Sequence, residues 1–440
     1  MLQSSNDKLK IRTLFKNILT SSEINDVLER NKTEFIGEKV VKLDLKHLGL
    51  EEIPEGICEF KSLRRLDLRY NNLKKLPESI SELFNLQRLD LRNNKLKSLN
   101  GSLSKLINIK HLDIRENRFS SFPTCIPQLF NLQEMELSRN TITEYPKSIT
   151  NLRKLKFIDL RNNGLTEIPK NICNIKNIRT LDVGNNHISE IPDRIRNLHR
   201  LYFLNCQKNE IEKVSEDIGE LTMLQRIDFR SNRLKELPKE LFTVDTLIKF
   251  DLISNRFTSI PQEIENLFRL VDLRIYDNEI ESLPESIGNL RQLWRFQLHY
   301  NKIESLPITI GNLTHLKELN INDNSLINLP ETLWNLNNLE YLELQNNNLI
   351  EIPQKIGDLH QLRELNLSNN NLESLPSTIE NLINLNYIDL RKNELKNLPE
   401  GLTKLPKLSV VGINKSSLLD KDIEIINKLQ QRGCKIVLSH

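Results

Sequence analysis

Asparagine recurs in this chain at an unbroken spacing of 23 residues. The fifteen positions are Asn71, Asn94, Asn117, Asn140, Asn163, Asn186, Asn209, Asn232, Asn255, Asn278, Asn301, Asn324, Asn347, Asn370 and Asn393. A fixed period of this length is the signature of stacked repeats, because one unit cannot bury its apolar side alone and must pack on its neighbours. The length of 440 residues would by itself suggest about three domains. The period predicts one continuous stack instead.

Each of these asparagines lies in the same frame, LxxLxLxxNxLxxLPxxIxxL. In one copy the frame is formed by Leu63, Leu66, Leu68, Asn71, Leu73, Leu76, Pro77, Ile80 and Leu83. Alternating residues of a strand point to opposite faces, so Leu66 and Leu68 are predicted to point inward, and Arg65, Asp67 and Arg69 outward. The asparagine amide both donates and accepts, so it can satisfy backbone groups in its own turn and in the neighbouring coil.

This frame resembles the leucine-rich repeat superfamily over about residues 40–418. The 23-residue LPxxIxxL class is similar to the intracellular Ras-group scaffolds, the repeats of Roco kinases and adenylyl cyclases, and many bacterial repeat proteins. The resemblance implies an α/β solenoid, curved as a horseshoe, with a parallel β-sheet on the concave face. It implies short helical, 3-10 or irregular crossovers on the convex face.

Both ends of the repeat array are predicted to be capped, because a terminal repeat has only one neighbour. We predict an N-terminal helical cap over residues 1–39, a solenoid of about 17 coils over residues 40–418, and a helix–strand cap over residues 419–440. Two sets of apolar residues in the N-terminal cap have the spacing of a helix: Leu9, Leu14, Phe15, Ile18 and Leu19, and then Ile24, Val27 and Leu28. The segment from Thr20 to Glu23 has the pattern of a capping box that begins the second helix. At the other end we expect a helix over 420–432 with Ile423, Ile426 and Leu429 inward, then Gly433 and a strand over 435–438.

The composition is typical of a cytoplasmic protein. Charged residues make up 28% of the chain and no apolar run approaches a membrane helix, which needs about 18 residues. The first ten residues are polar and lack the apolar core of a signal peptide. The five cysteines are not clustered at the ends as they are in secreted repeat proteins, which favours a reducing compartment.

No motif points to catalysis, a cofactor or a metal site. The eight histidines are scattered without metal-ligand spacing. Gly412, Lys415 and Ser416 are only faintly similar to a phosphate loop, because its second glycine is missing. Cys434 has no base placed beside it by any motif. We predict no catalytic residues, no cofactor and no bound metal.

Equivalent outward positions in successive coils form columns along the array, and these columns carry a pattern of charge. Asp44, Asp67 and Asp90 begin a column of carboxylates that continues along the repeat, and Arg65, Arg69, Arg88 and Arg92 bracket it. A self-neutralising surface lattice and a dedicated binding site both fit this pattern. The formal charges at six outward positions per coil sum to +6 over the first four coils and to −3 over coils eleven to sixteen. This difference in charge would orient a partner with a matching dipole. The net charge of +3 and the mixed lattice make nucleic acid a poor fit.

Large apolar groups also occupy outward columns, where they are the expected anchors of a protein interface. One group comprises Ile253, Tyr276, Trp294, His299, Tyr300 and Tyr341, and a smaller group comprises Phe157, Tyr202 and Phe203. Individual members could equally stabilise the sheet by packing on their neighbours. We interpret the larger group as an interface.

These patterns predict a non-enzymatic scaffold or adaptor, monomeric and without a membrane span, that binds a folded protein on its concave face. The resemblance implies a small GTPase, a kinase or a phosphatase as the partner. One alternative is an exported or surface bacterial adhesin or effector that binds host molecules with the same face. Another is the substrate-recognition subunit of an enzyme complex.

Overall fold

The computed structural model describes residues 6–29, 33–414 and 419–439. These residues form two compact units, Met1–Leu224 and Gln225–His440, called here the N-terminal and C-terminal units. Lys415 and Ser416, which the sequence placed at the end of the repeat array, lie outside the described residues. No helix in the described part of the chain is long and apolar enough to cross a membrane.

Two helices and a hairpin begin the N-terminal unit: α1 (Asp7–Phe15), α2 (Ser21–Glu29), β1 (Glu34–Ile36) and β2 (Lys39–Asp44). The capping box at α2 is present, since Thr20 N–H donates to Glu23 Oε2 at 2.8 Å and Glu23 N–H donates to Thr20 Oγ1 at 3.2 Å. Among the apolar residues with helical spacing, Leu9 and Ile18 are exposed, and α1 buries Asp7, Ile11 and Phe15 at four-residue spacing. Helical periodicity also gave no sign of the antiparallel pairing of β1 with β2.

The rest of the N-terminal unit consists of short strands joined by 3-10 turns. The face strands are β3 (Arg65–Asp67), β4 (Arg88–Asp90), β5 (His111–Asp113), β6 (Glu134–Glu136), β7 (Phe157–Asp159), β8 (Thr180–Asp182) and β10 (Phe203–Asn205), and the crossovers hold α3 (Lys170–Cys173), β9 (Glu190–Ile191) and β11 (Lys213–Val214). The 3-10 helices are Glu55–Glu59, Glu78–Glu82, Gly101–Lys105, Ile126–Gln128, Lys147–Asn151, Asp193–Asn197 and Glu216–Glu220. From β2 onward the face strands pair in parallel with a constant 23-residue offset, as Leu43 with Leu66.

The C-terminal unit repeats this plan and ends in a cap. Its strands are β12 (Arg226–Asp228), β13 (Lys249–Asp251), β14 (Asp272–Arg274), β15 (Arg295–Gln297), β16 (Glu318–Asn320), β17 (Tyr341–Glu343), β18 (Glu364–Asn366), β19 (Tyr387–Asp389), β20 (Val410–Asn414) and β21 (Lys435–Ser439), and its α-helix is α4 (Asp420–Gln431). The 3-10 helices are Lys239–Thr243, Gln262–Asn266, Glu285–Asn289, Ile308–Asn312, Glu331–Asn335, Gln354–Asp358, Ser377–Asn381 and Glu400–Lys404.

The C-terminal cap follows the predicted order of helix, glycine and strand. Gly433 has φ +84°, a conformation that costs glycine little at a helix end. The inward placement of Ile423 was wrong, because α4 buries Ile425, Ile426 and Leu429 and leaves Ile423 exposed.

The recurring asparagines hold neighbouring coils together. Asn347 Nδ2 donates to the carbonyls of Ile321 and Leu344, both at 3.0 Å, and its Oδ1 accepts the Leu326 N–H at 3.0 Å. Asn71 makes the same contacts in the N-terminal unit, to the carbonyls of Leu45 and Leu68. Inward leucines such as Leu66 and Leu68 are fully buried. Each unit is therefore a solenoid of the predicted α/β class, stabilised by stacked leucines and by these side-chain hydrogen bonds.

Candidate protein-binding surface

Outward side chains of the short strands form an exposed surface on each unit, called here the strand face. Residues that are a multiple of 23 positions apart occupy the same place in each coil and are described here as in line with one another. The N-terminal edge of the strand face holds the residues in line with Arg64, just before the strands. Its C-terminal edge holds those in line with Tyr70, just after the strands. The columns between the edges are in line with Arg65, Asp67 and Arg69. Alternation along each strand fixes this placement.

The aspartate column of the strand face is largely buried rather than solvated. Arg69 donates to both oxygens of Asp67 at 2.9 and 2.6 Å, and its Nε lies 3.2 Å from Asp90. The guanidinium thus covers the carboxylate of its own strand and reaches that of the next. Asp90 is 4% exposed as a result. Arg115 on Asp113 and Glu136, and Arg161 on Asp159 and Asp182, repeat the arrangement.

The pKa values of two neighbouring aspartates are shifted in opposite directions. Burial raises the pKa of Asp90 to about 7, and the negative charge of Asp113 adds to the effect. The charge of Arg69 and the backbone N–H of Arg92 lower the pKa of Asp90 in opposition. However, Arg69 also binds Asp67, and the Arg92 guanidinium binds Glu116 at 2.8 Å. Burial also opposes ionisation of Asp67, but the hydrogen bonds from Arg69 outweigh it and hold the pKa of Asp67 below its usual value.

Replacing these two aspartates with asparagine is expected to have opposite effects on stability. Because the pKa of Asp90 is raised on folding, its contribution to stability is present below about pH 4 and is lost as the pH rises towards about 7. Asp90→Asn should therefore raise the free energy of unfolding at pH 8 by about 1–3 kcal/mol and change it little at pH 4. Asp67→Asn should lower it at pH 8 by about 1 kcal/mol. Urea unfolding at pH 4 and pH 8 measures the free energy of unfolding of both variants. If Asp90→Asn and Asp67→Asn change it in the same direction at pH 8, the predicted difference between the two carboxylates is refuted.

Three rings of the predicted interface group come together at the C-terminal edge of the C-terminal unit. Tyr276 and His299 stack with ring centroids 3.9 Å apart, and Tyr300 meets His299 edge-on at 5.5 Å. Burial lowers the pKa of His299, against the opposing charges of Asp323 and Asp277. Burial thus favours the neutral imidazole, and the stack forms an apolar patch beside two carboxylates.

The backbone of Tyr300 makes it stand out within the C-terminal edge. One residue per coil there adopts a left-handed conformation, with φ between +53° and +57°. Asparagine, aspartate and serine occupy most of these positions in the C-terminal unit, and short polar side chains tolerate that conformation best. Within the described C-terminal unit, Tyr300 is the one aromatic residue in these positions. Tyr300 is also 57% exposed.

A second aromatic group lies towards the N-terminal edge of the same unit. Trp294 is 37% exposed, and the guanidinium of Arg295 lies 4.9 Å from its ring centroid. Glu318 holds Arg295 in place at 2.9 Å, and the half-buried Tyr341 pairs with Glu318 in the sheet register. Six residues separate Trp294 from Tyr300, so the two groups lie within about 20 Å of each other along the strand direction.

One member of the predicted interface group is not available for binding. Ile253 was expected in a solvated column, but it is only 5% exposed. The long side chains of Arg230 and Tyr276 occupy the same column in the adjacent coils, and a shorter isoleucine between them is covered. Ile253 therefore belongs to the packing of the sheet.

The remaining predicted residues do not converge on one site. In the N-terminal unit, Phe157 and Phe203 are half-buried on either side of Thr180, and Tyr202 is 44% exposed at the N-terminal edge. Arg65 and Arg88 are exposed neighbours on β3 and β4. Arg69 and Arg92 are bound to carboxylates of the lattice, and Arg88 Nη2 also lies 3.9 Å from Asp90 Oδ2.

One aromatic stack was missed by the sequence analysis. At the C-terminal edge of the N-terminal unit, His47 and Tyr70 stack with centroids 4.3 Å apart and planes 5° apart, and Arg92 lies 5.5 Å from the Tyr70 ring. Both rings occupy left-handed positions of consecutive coils. Aligning that column in the sequence would have placed the two aromatic residues side by side.

Comparison with known proteins agrees with this architecture. The profile described as "Leucine-rich repeat region" matches residues 144–211, 247–345 and 321–432, and the profile "Leucine rich repeat" matches residues 38–96, 61–119 and 107–165. A search of curated proteins gives no match. The chain belongs to the leucine-rich repeat family.

Several solved structures share the fold. A leucine-rich repeat protein of Leptospira interrogans is 31% identical with a TM-score of 0.77, and the alignment covers 94% of this chain and 97% of that one. The plant peptide hormone receptor RGFR1, solved in complex with RGF2, is 27% identical with a TM-score of 0.68, over 88% of this chain and 72% of the receptor. The ectodomain of the Arabidopsis thaliana receptor kinase GASSHO1/SCHENGEN3 is 29% identical with a TM-score of 0.63, over 82% of this chain and 49% of that one.

Proposed function

We propose that this chain is a non-enzymatic scaffold or adaptor that binds a folded protein on the strand face of its C-terminal unit. The observation that carries the proposal is the stack of Tyr276 and His299 that supports the exposed, left-handed Tyr300. Aromatic residues held in place before binding are typical anchors, because they lose little conformational entropy on association.

The dimensions and charge of this surface suit a protein ligand. A standard interface covers about 800 Å² on each partner, which is enough to span the roughly 20 Å between Trp294 and Tyr300. Asp277 and Asp323 lie near the aromatic stack, and their charges act on His299. A partner that presents basic side chains around an apolar patch would be complementary.

The resemblance to intracellular scaffolds supports a small GTPase, a kinase or a phosphatase as the partner, and a cytoplasmic location. No disulfide is present among the described cysteines, which fits a reducing compartment. Among the similar structures, RGFR1 binds the peptide RGF2. A polypeptide ligand for this chain is consistent with that relationship.

Affinity purification from the native cell, followed by mass spectrometry, tests this proposal. The wild-type chain is compared with a strand-face variant, Tyr276→Ala with Trp294→Ala and Tyr300→Ala. The control is Ile308→Ala with Ile327→Ala and Ile350→Ala, which removes three side chains that are at least half exposed and lie outside the strand face. We expect a protein that co-purifies with the wild type and the control and is lost from the strand-face variant. Equal recovery with all three baits would exclude this surface.

The similarity to a protein of the bacterium Leptospira interrogans favours one alternative, an exported or surface bacterial adhesin or effector that binds host molecules with the same face. Recovery of the chain outside the producing cell would support that alternative, and strictly cytosolic fractionation would support the adaptor. The substrate-recognition subunit of an enzyme complex is a third candidate, for which enzyme subunits would co-purify with the wild-type chain.

A further inference from the structure

A cationic cleft lies at the N-terminal edge of the strand face of the N-terminal unit, and it shares no residue with the aromatic surface of the C-terminal unit. Its volume is about 220 Å³. Five exposed cations line it together with two amide side chains: Arg153, Lys154, Lys156, Arg179, Arg200, Gln133 and Asn177. These residues come from four successive coils, so the cleft exists only in the stacked solenoid.

The charges of this cleft are not neutralised by the protein. Within the described residues, none of the five cations forms an ion pair, whereas Arg69, Arg115 and Arg161 of the strand face are all bound to carboxylates. Three of the five instead donate to neutral amide oxygens. Lys154 Nζ lies 2.6 Å from Asn131 Oδ1, Arg200 Nη1 lies 2.7 Å from Asn177 Oδ1, and Lys156 Nζ lies 3.5 Å from Gln133 Oε1.

The asparagine amides that contact these cations, Asn131 and Asn177, are themselves held by hydrogen bonds to the backbone. Asn131 Nδ2 donates to the Ile107 carbonyl at 2.8 Å, and Asn177 Nδ2 donates to the Arg153 carbonyl at 2.6 Å. Each amide is anchored to the backbone of the preceding coil, and its oxygen then orients one cation. The positive groups are thus held in place before any ligand arrives, which lowers the entropic cost of binding.

The sequence around the cleft also keeps negative charge away from it. The three columns in line with Lys61, Ser62 and Arg64 contain no aspartate or glutamate between residues 61 and 223. Like charges gathered this closely repel one another, so binding an anion would relieve a cost that the free protein bears. We propose that the cleft binds a phosphoryl group, because a dianion with several acceptor oxygens can accept hydrogen bonds from more than one of these arginines and lysines at once.

The surroundings of the cleft indicate what carries the phosphoryl group. Phe84, Ile107 and Phe130 occupy the same column as Arg153 in the three preceding coils, and each is about half exposed, at 51%, 51% and 52%. An apolar row that leads into a cationic cleft matches a phosphorylated polypeptide segment with apolar side chains on one side of the modified residue. Free inorganic phosphate shares the chemistry of the cleft but cannot use this row.

Fluorescence anisotropy with the full chain tests the proposal. The probe is a short labelled peptide with two leucines preceding one phosphoserine, and it is compared with its unphosphorylated twin and with inorganic phosphate as competitor. The cleft variant is Lys156→Gln with Arg179→Gln. The matched control, Arg118→Gln with Lys147→Gln, removes the same charge at exposed positions outside the cleft. Thermal melting of each variant confirms that it folds.

We expect the phosphopeptide to bind at least about tenfold more tightly than its twin, and the cleft variant to lose at least about tenfold in affinity while the control does not. The variant Phe84→Ser with Phe130→Ser should bind the phosphopeptide more weakly, but its affinity for inorganic phosphate should not change. If the two charge variants lose affinity equally, the effect is general electrostatics and the cleft is refuted. If phosphate competes and the variant Phe84→Ser with Phe130→Ser binds the phosphopeptide as tightly as the wild type does, free phosphate is the ligand and the polypeptide assignment is overturned.

Discussion

Asn347→Leu is expected to lower the free energy of unfolding by about 3 kcal/mol or more, because it leaves buried backbone groups without partners at about 1–3 kcal/mol each. The Asn347 side chain is 6% exposed and satisfies the Leu326 N–H and the carbonyls of Ile321 and Leu344. Leucine has similar volume but can make none of these bonds. Nearest-neighbour coupling should spread the loss to the adjacent coils.

The neighbouring Asn348 provides a control for this substitution. It is exposed, and its backbone N–H bond to the Leu326 carbonyl does not depend on its side chain. Asn348→Leu should therefore change stability by less than about 0.5 kcal/mol. Urea unfolding followed by circular dichroism measures both variants, and equal stability of the two would mean that the asparagine bonds do not hold the coils together.

The strand-face variant, Tyr276→Ala with Trp294→Ala and Tyr300→Ala, is expected to weaken partner binding by about 3 kcal/mol or more, which is a rise in Kd of at least roughly 100-fold. Trp294 and Tyr300 are exposed, and Tyr276 supports the ring stack that positions Tyr300. Their loss removes apolar contact area and the anchors at both ends of the surface. The leucine core and the asparagine bonds are untouched, so the melting temperature should fall by only a few degrees at most.

Single substitutions separate the two aromatic groups of this surface. Tyr300→Ala tests the C-terminal edge and Trp294→Ala tests the N-terminal edge, and each should cost about 1–2 kcal/mol in the isothermal titration of the purified partner. A variant with Ile308, Ile327 and Ile350 replaced by alanine should bind as the wild type does. Binding by the strand-face variant within about twofold of the wild type would refute the aromatic anchors.

The fold could be predicted from the sequence because the 23-residue period fixes the register of every coil. Once Leu66 and Leu68 point inward, the same columns point inward throughout, and the parallel pairing with constant offset follows. The caps were predicted less well. Leu9 and Ile423 have helical spacing yet are exposed, because a short helix offers several apolar stripes and only packing selects the one that is buried.

The surface could be predicted only in outline. The columns identified which residues point outward, but not how long side chains lie across neighbouring strands. Ile253 is covered for this reason, and Arg69 is bound to Asp67 rather than free. The cationic cleft escaped notice because Arg153, Lys154 and Arg200 lie before the columns counted for charge, and the coils that hold Lys156 and Arg179 were not among those summed. Its signal was the lack of acidic residues along three neighbouring columns.

Site-specific photo-crosslinking tests the central claim, that the strand face of the C-terminal unit is the partner-binding surface. A benzophenone amino acid is placed at position 300 in one version of the chain and at position 308 in another, because Tyr300 and Ile308 are both more than half exposed and only Tyr300 lies on the strand face. Illumination in the native cell should attach the partner through position 300 and not through position 308. A partner captured through position 308 and absent at position 300 would contradict the claim.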